Sequence, residues 1–562
     1  MLVSLQCDKF MSHGEVRAPL VFHAGLNAVL GDDNGSNSIG KSTFLMVLDF
    51  VFGGDDYVKK CTDVQENVKG HTIKFAFEFD SVMYYFTRNT IDYLFVSQCD
   101  VQYNSLPGKE KIPIKTYNAF LAEKYKLTTD DLSWRGAVAR FIRVYKRETL
   151  DEERPLRSAK DEKAADAIKK FMQLYGKYAA VDAQIKQAAQ AEDEKETFRK
   201  SLQYQHIRGA RSKKEFDENQ ARITSLEEKE RTLAEESSQG LLNLDSVQAQ
   251  KLAEIRDLLA NYRRQKARVQ MQLNDVRKEM LYGKKSFKRT YSDLERFFPD
   301  VEFRHIEEIE GFHQQLAKVL TEDFKEAEKN LAATYVLLNN EIVRLQQEFA
   351  EVEKIPNVTE AILKEYAAIT TELSNLTEAN RNFEEMDRLK QVADEYAETR
   401  DEVIKAQLFS IETPLNLRMR EISARILHDE QHLPPMLRMT KLSQYSFSTP
   451  NDGGTGAQYR GVVTFDLANM AEGVIPFIVH DSVMLKHIEK KVVSEIIRAY
   501  DATKTSGQQV FIAFDSMESY SSQTREILNK NKVLELSPKD GALFGRVWNI
   551  SDTETGAEDN RR

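Results

Sequence analysis

Gly35-Ser36-Asn37-Ser38-Ile39-Gly40-Lys41-Ser42 meets the pattern G-x-x-x-x-G-K-[ST] at every fixed position. An apolar run, Val21 to Leu30, precedes it, and Thr43 to Val51 continues with helical character. The chemistry this suits is the cradling of a polyphosphate. The glycines let backbone N–H groups curl around phosphate oxygens, and the helix N-terminus adds its positive end. Lys41 would reach the β- and γ-phosphates and Ser42 would hold Mg²⁺, so ATP with Mg²⁺ is the expected ligand, bound by Asn34 to Thr43. Such a site needs an acid at a strand end to complete the metal shell. The first half of the chain offers no good candidate. Ile475-Pro476-Phe477-Ile478-Val479-His480-Asp481, an apolar run ending in Asp481, does. The expected metal ligands are therefore Ser42 and Asp481, from opposite ends of the chain.

Something between them must bring those ends together. Both ends contain β-branched and aromatic runs and read as mixed α/β. His71–Asp80 and the stretch around Tyr84–Arg88 alternate like a hairpin of half-buried strands. Gly461–Phe465, Ile475–Val479 and Gln509–Phe514 have the length of buried strands, with a helix over roughly 481–500. The middle is rich in Glu, Lys, Gln, Ala, Leu and Arg, and has no proline from Leu156 to Phe298. Leu252, Ile255, Leu259, Tyr262, Val269, Leu273, Val276 and Met280 follow 3-4 spacing, with Lys266 in one seam position. Further seams run from Leu331 to Val352 and from Ile362 to Leu376, with breaks at Pro299 and Pro356. These predict an N-terminal lobe over 1–155, an antiparallel coiled-coil hairpin over 156–413 and a C-terminal lobe over 414–562. The hairpin tip is expected near 282–300. An arm of roughly 110–130 residues would reach on the order of 170–200 Å at 1.5 Å per residue.

The net charge of −10 excludes a generally basic DNA-coating protein but not a local basic groove. Cys7, Cys61 and Cys99 form no Cys-x-x-Cys pair, which argues against a disulfide framework, a zinc site or a zinc hook at the tip, and suits a reducing cytoplasm. No signal-peptide layout and no run of about 18 apolar residues is present, so no membrane association is expected. No nuclease or protease constellation is visible.

The layout resembles the SMC-like branch of ABC ATPases, which includes SMC, RecN, RecF and SbcC-type proteins. Pro476-Phe477-Ile478-Val479-His480-Asp481-Ser482-Val483 is similar to their Walker B segment. Asn451 to Gln458, with Gly453, Gly454, Thr455 and Gly456, looks like a variant of their signature loop. The resemblance implies an α/β, ABC-type head formed by both chain ends and joined by the coiled-coil hairpin. It implies a homodimer in which the 453–456 loop of one head caps the nucleotide of the other. Gly25–Gly31, Ser38–Thr43, Phe52-Gly53-Gly54, Thr455-Gly456, Phe465–Ala468 and His480–Ser482 look most like short bacterial SMC-like ATPases of anti-phage and anti-plasmid systems such as Lamassu. That implies double-stranded DNA, an accessory subunit and an effector nuclease as partners. A repair ATPase of the RecN or SbcC kind, and a coiled-coil scaffold with a nucleotide switch, are the alternatives.

The sequence departs from that family where hydrolysis is concerned. Ser482 stands where the catalytic glutamate should follow Asp481, and Asp515 stands at the switch histidine. His480, Asp515 or a residue of the partner head are the candidate replacements. The other reading is an ATP-clamped switch with slow or no turnover. The region of the Q-loop, Phe141–Arg147, has no glutamine. Arg135, Arg140, Arg143, Lys146 and Arg147 form a basic cluster beside the expected ATP site and are the candidate DNA contacts. Basic groups at 208–214, 263–268 and 284–289 read more readily as solvated helix faces. No base-reading motif is present, so shape or ends, not sequence, would be recognised.

Overall fold

The computed structural model describes residues 1–32, 39–127, 131–204, 209–239, 245–297, 304–352, 360–429, 432–515 and 517–548. In chain order the elements of the N-terminal region are β1 (Leu2–Cys7), β2 (Met11–Ser12), β3 (Glu15–Val16), β4 (Leu20–Val21), β5 (Gly25–Leu30), α1 (Lys41–Val51), α2 (Asp56–Lys60), α3 (Thr62–Val68), β6 (Thr72–Phe79), β7 (Val82–Asn89), β8 (Phe95–Cys99), β9 (Ile112–Pro113), α4 (Ile114–Lys124), α5 (Trp134–Val138), β10 (Ile142–Arg143) and α6 (Ala164–Leu174). Five long helices follow: α7 (Tyr178–Tyr204), α8 (Lys213–Gln239), α9 (Asp245–Phe297), α10 (Arg304–Val352) and α11 (Glu360–Leu427). The chain closes with β11 (Met436–Lys441), β12 (Gln444–Ser448), α12 (Thr455–Ala471), β13 (Phe477–His480), α13 (Ser482–Lys486), α14 (Lys490–Ala502), β14 (Gln509–Phe514), α15 (Ser522–Lys530) and β15 (Lys532–Glu535). Two compact units result, Met1–Ala183 with Asp401–Arg562, and Gln184–Arg400.

The first unit is an α/β head with two main sheets. One is antiparallel, in the order β4-β1-β6-β7-β8-β9, and its β6–β7 hairpin is the one the alternation at 71–88 predicts. The other is parallel, in the order β10-β13-β14-β5-β15. Its two central strands, β5 and β14, are buried along their whole length, as apolar runs covered on both faces should be. β5 comes from the N-terminal region and its neighbours β14 and β15 from the C-terminal region, so neither end of the chain can form this sheet alone. The shared core confirms it. Phe52, just after α1, stacks on Phe477 of β13 at 3.8 Å between ring centroids. The Gln509 amide ties the sheets together, accepting from Leu2 N at 3.0 Å and donating to Leu2 O at 2.8 Å.

Three expectations are corrected here. Gly461–Phe465 is helix, inside α12, because an apolar run that short carries no period. The first unit extends past 155, because α6 packs on α12: Phe171 lies 5.8 Å from Phe465, and the Tyr175 hydroxyl donates to Asn469 Oδ1 at 2.9 Å. The helical region does not stop at 413, because α11 continues through Pro414, carried by buried Ile411, Leu415 and Met419.

In the second unit the predicted seams meet. Ile255 and Leu259 of α9 pack with Ile342, Leu345 and Val352 of α10, an antiparallel pair. Lys266 fills its seam position by donating to Asn339 Oδ1 at 2.6 Å beneath the Tyr335 ring, 4.8 Å from its centroid. α8 runs antiparallel to α11, with Arg222 on Glu372 and Phe216 5.3 Å from Phe383. Asn380, buried in that seam, donates to Phe216 O and accepts from Asn219. The expected tip at 282–300 is not a break before Phe297, because α9 runs helically through Gly283; the remainder of that span lies outside the described residues. The arm is not one straight rod. α10 also lies along α11, where Glu341 meets Glu378, and Lys251 of α9 sits over Tyr366 at 5.4 Å. Lys200 of α7 pairs with Glu326 of α10. α10 thus packs on α11 as well as on α9.

Candidate functional site

β5 delivers the chain to Gly40 and Lys41 at the N-terminus of α1, a helix buried from Phe44 to Val51. Residues 33–38, and with them Asn34, Gly35, Ser36, Asn37 and Ser38, lie outside the described residues. Gly40 has φ +102°, and a Cβ there would fall 2.5 Å from Leu543 Cβ, so both backbone and space demand glycine. Next to β5 runs β14, directly followed by Asp515, and next to β14 runs β13, directly followed by Asp481. The parallel register puts all three carboxyl ends on one edge, where open α/β sheets bind ligands.

Ser42 Oγ donates to Asp481 Oδ1 at 3.1 Å across 439 residues of sequence. The backbone N–H of Tyr145 donates to Asp481 Oδ2 at 3.2 Å. Burial pushes the Asp481 carboxyl above its ordinary range, against the pull of the Tyr145 N–H and the Ser42 and Ser482 donors. Lys41 Nζ lies 2.7 Å from Asp515 Oδ1, and Lys486 Nζ 2.9 Å from Asp515 Oδ2. Lys41, Ser42, Lys486 and Asp515 border a cavity of about 370 Å³, whose walls also include Ile39, Thr43, Tyr145, Lys146 and, from the C-terminal segment, Leu543, Phe544 and Trp548. Lys41, Ser42, Thr43 and Asp515 thus border one cavity, and Asp481 is joined to it through Ser42.

The residues fit a magnesium nucleotide. Among the described residues no three His, Cys, Asp or Glu side chains could by themselves hold a metal ion. A cation at Ser42 and Asp481 must share its shell with ligand oxygens, as magnesium does with phosphates.

Other expected residues lie elsewhere. His480 is completely buried and faces away from the cavity, because adjacent strand residues point to opposite faces. Its Nε2 meets Asp466 Oδ2 at 2.9 Å and its Nδ1 the Tyr500 hydroxyl at 2.6 Å. It is no candidate for activating water at this site. Asp466 also takes both Arg143 Nε and Nη2, at 3.0 and 2.9 Å. Burial alone would raise Asp466, and Arg143 and His480 bring it below its ordinary value. The basic cluster is corrected for the same reason. Arg140, Arg143 and Arg147 are buried, and Arg135 and Arg147 close on the buried Asp49. Lys146 pairs with Asp63 at 2.8 Å on the cavity wall. Arg140, Arg143 and Arg147 brace the head from inside, while Arg135 and Lys146 stay partly exposed and are each paired with an acid. Gly453 to Gly456 do not border the cavity: Gly453 and Gly454 are exposed and lead into α12, whose first two residues are Thr455 and Gly456.

Sequence reasoning missed Lys486, Tyr145 and the aromatic wall of Phe544 and Trp548. Lys486 follows Asp481 on a short helix with no spacing signature, and nothing in the sequence ties residue 548 to residue 41.

Residues 4–238 match the family described as an AAA domain, and residues 422–548 match a family described as an uncharacterised protein conserved in bacteria. No curated protein matches the chain. Among solved structures, an Smc head domain with a coiled coil and joint from Pyrococcus yayanosii is 13% identical at a TM-score of 0.37, over 98% of this chain and 97% of that one. An Smc head domain with an extended coiled coil, bound to the C-terminal domain of ScpA, from Pyrococcus furiosus is 10% identical at a TM-score of 0.30, over 97% and 94%. The AAA-domain match covers the part of the chain that holds Lys41 at the start of α1; the acid after β13 lies beyond it, as does part of the parallel sheet shared by both chain ends.

Proposed function

We propose that this protein binds Mg–ATP at Lys41, Ser42 and Asp481 and uses it to clamp two heads together on DNA. The observation that carries the reading is the Ser42–Asp481 hydrogen bond, which joins a phosphate-binding loop to an acid from the other end of the chain. When bound, magnesium would supply charge neutralisation for the phosphates. Lys41 would add a fixed ammonium, and Tyr145 N–H would hold the Asp481 carboxylate in place. Exposed Gly453 and Gly454, leading into the N-terminus of α12 at Thr455 and Gly456, support a second copy's nucleotide as the target of this segment. The family resemblance supports DNA ends or structures as substrate and an effector nuclease, with an accessory subunit, as the output in anti-phage or anti-plasmid defence. Exposed Arg263, Arg264 and Arg268 on α9 are better placed for phosphate contacts than the mostly buried 135–147 cluster.

A second reading, a nucleotide switch with little hydrolysis, is favoured by Ser482, whose hydroxyl donates to Asp481 Oδ1 at 3.4 Å and which carries no carboxylate to take a proton from water. Lys41→Ala is expected to weaken ATP binding about a hundredfold, roughly 2.7 kcal/mol, while leaving the helical signal in circular dichroism unchanged. Titration with a fluorescent ATP analogue measures it. Wild-type affinity in the variant, or a sedimentation profile unmoved by ATP in the parent, would sink the clamp reading.

A further inference from the structure

Asp515 is a buried carboxylate with an ammonium on each oxygen, Lys41 Nζ at 2.7 Å and Lys486 Nζ at 2.9 Å. Its side chain is 4% exposed, whereas that of Lys486 is 45% exposed and reaches in from the rim of the cavity. The corner is built around this pair. A Cβ on Gly31, at the end of β5, would come within 2.5 Å of Asp515 Oδ1 and 2.9 Å of Lys41 Cδ. Lys486 sits on α13, the element that begins directly after Asp481. Two cations and one anion therefore share one corner of a site that already has the groups for a magnesium polyphosphate.

A terminal phosphoryl group presents three oxygens and up to two negative charges, so it can pair with two ammonium groups at once, as the Asp515 carboxylate does. It carries more charge than the carboxylate and wins the competition for both. A nucleoside diphosphate lacks that last group. Granting the nucleotide reading above, we propose that Lys486 is a terminal-phosphate sensor, held by Asp515 when no triphosphate is present and transferred to the γ-phosphate when one binds. Asp515 is then a placeholder anion. The transfer moves α13, and through it the segment following Asp481, only for a triphosphate. No bond is made or broken in this exchange, and no hydrolysis is required.

The test is isothermal titration of the full-length protein with ADP and with the non-hydrolysable analogue AMP-PNP, both with Mg²⁺. Lys486→Gln is expected to weaken AMP-PNP binding about tenfold and ADP binding less than twofold. Lys486→Arg, which keeps the charge, is expected to recover most of the loss. Asp515→Asn, which removes the competing anion, is expected to tighten AMP-PNP more than ADP. An unchanged AMP-PNP to ADP ratio in Lys486→Gln overturns the sensor while leaving nucleotide binding intact. Weaker AMP-PNP binding in Asp515→Asn overturns the exchange, because Asp515 would then be holding the lysines in the bound state. A wild-type protein that binds neither nucleotide overturns both this proposal and the reading it rests on.

Discussion

At the scale of single residues, the head depends on charges that never meet solvent. Asp466 holds Arg143 with two hydrogen bonds and His480 with a third, and so links α12, β10 and β13. Removing one partner of a buried pair leaves the other uncompensated, at a cost of about 3–5 kcal/mol. Asp466→Ala is therefore expected to lower the unfolding free energy of the head, read from its urea transition, by that order, whereas Lys486→Gln, at the rim, should leave it nearly unchanged. Equal effects in the two variants would show that the buried network is not what braces these elements. The sequence made Lys41, Ser42 and Asp481 legible because their chemistry is written in fixed spacing and in a strand end. It made the arginines of 135–147 look like a DNA surface because a linear cluster does not say which way each side chain points. Asp49, Asp56 and Asp466, the acids that claim them, are scattered over more than four hundred positions.

Elements follow their apolar periods more faithfully than their prolines. The seams at 252–280 and 331–352 lie where α9 and α10 pack together. The packing of α10 on α11 was not legible, because it is carried by polar side chains on the outer faces. Glu341 and Glu378 meet there, with Arg344 and Arg381 nearby; burial first, and then the Glu341 carboxylate, push Glu378 up to about 7. A carboxyl whose folded value is raised stabilises the fold below its unfolded value near 4.5, and loses that contribution as pH rises through the folded value. The α10–α11 contact should therefore be tightest below about pH 4.5 and loosen as pH rises from there through about 7. Hydrogen exchange of the 337–348 segment, compared at matched intrinsic rates, measures it. Glu378→Gln should remove the dependence, and a protection pattern equally flat in the parent would show that this pair does not govern the contact. Asn380 has a different role in its seam. A buried amide that donates to Phe216 O and accepts from Asn219 fixes the register of α8 on α11 more than it adds stability.

For the molecule as a whole, the head is legible from sequence as a class and the order of its strands is not, because strand order is set by packing between segments far apart in the chain. The parallel sheet places β5 between β14 and β15, so each chain end holds what the other lacks. Co-expressing residues 1–300 and 301–562 as separate chains should yield a complex that co-purifies and binds nucleotide like the parent, because the helical pairs bring the pieces together. Failure of the two pieces to associate would show that covalent continuity is required. The same interleaving sets a schedule for the protein's birth. β1 waits for Gln509, 507 residues later, and at roughly 5–20 residues per second that wait is on the order of half a minute to two minutes. Throughout it the apolar strand Gly25–Leu30 lacks both of its sheet neighbours. Pairing of α9 with α10 ahead of the C-terminal strands shortens the loop that must then close, and so lowers its entropic cost. In the nascent chain the coiled coil acts as a guide that delivers the second half of the head to the first, before it serves any purpose in the finished protein.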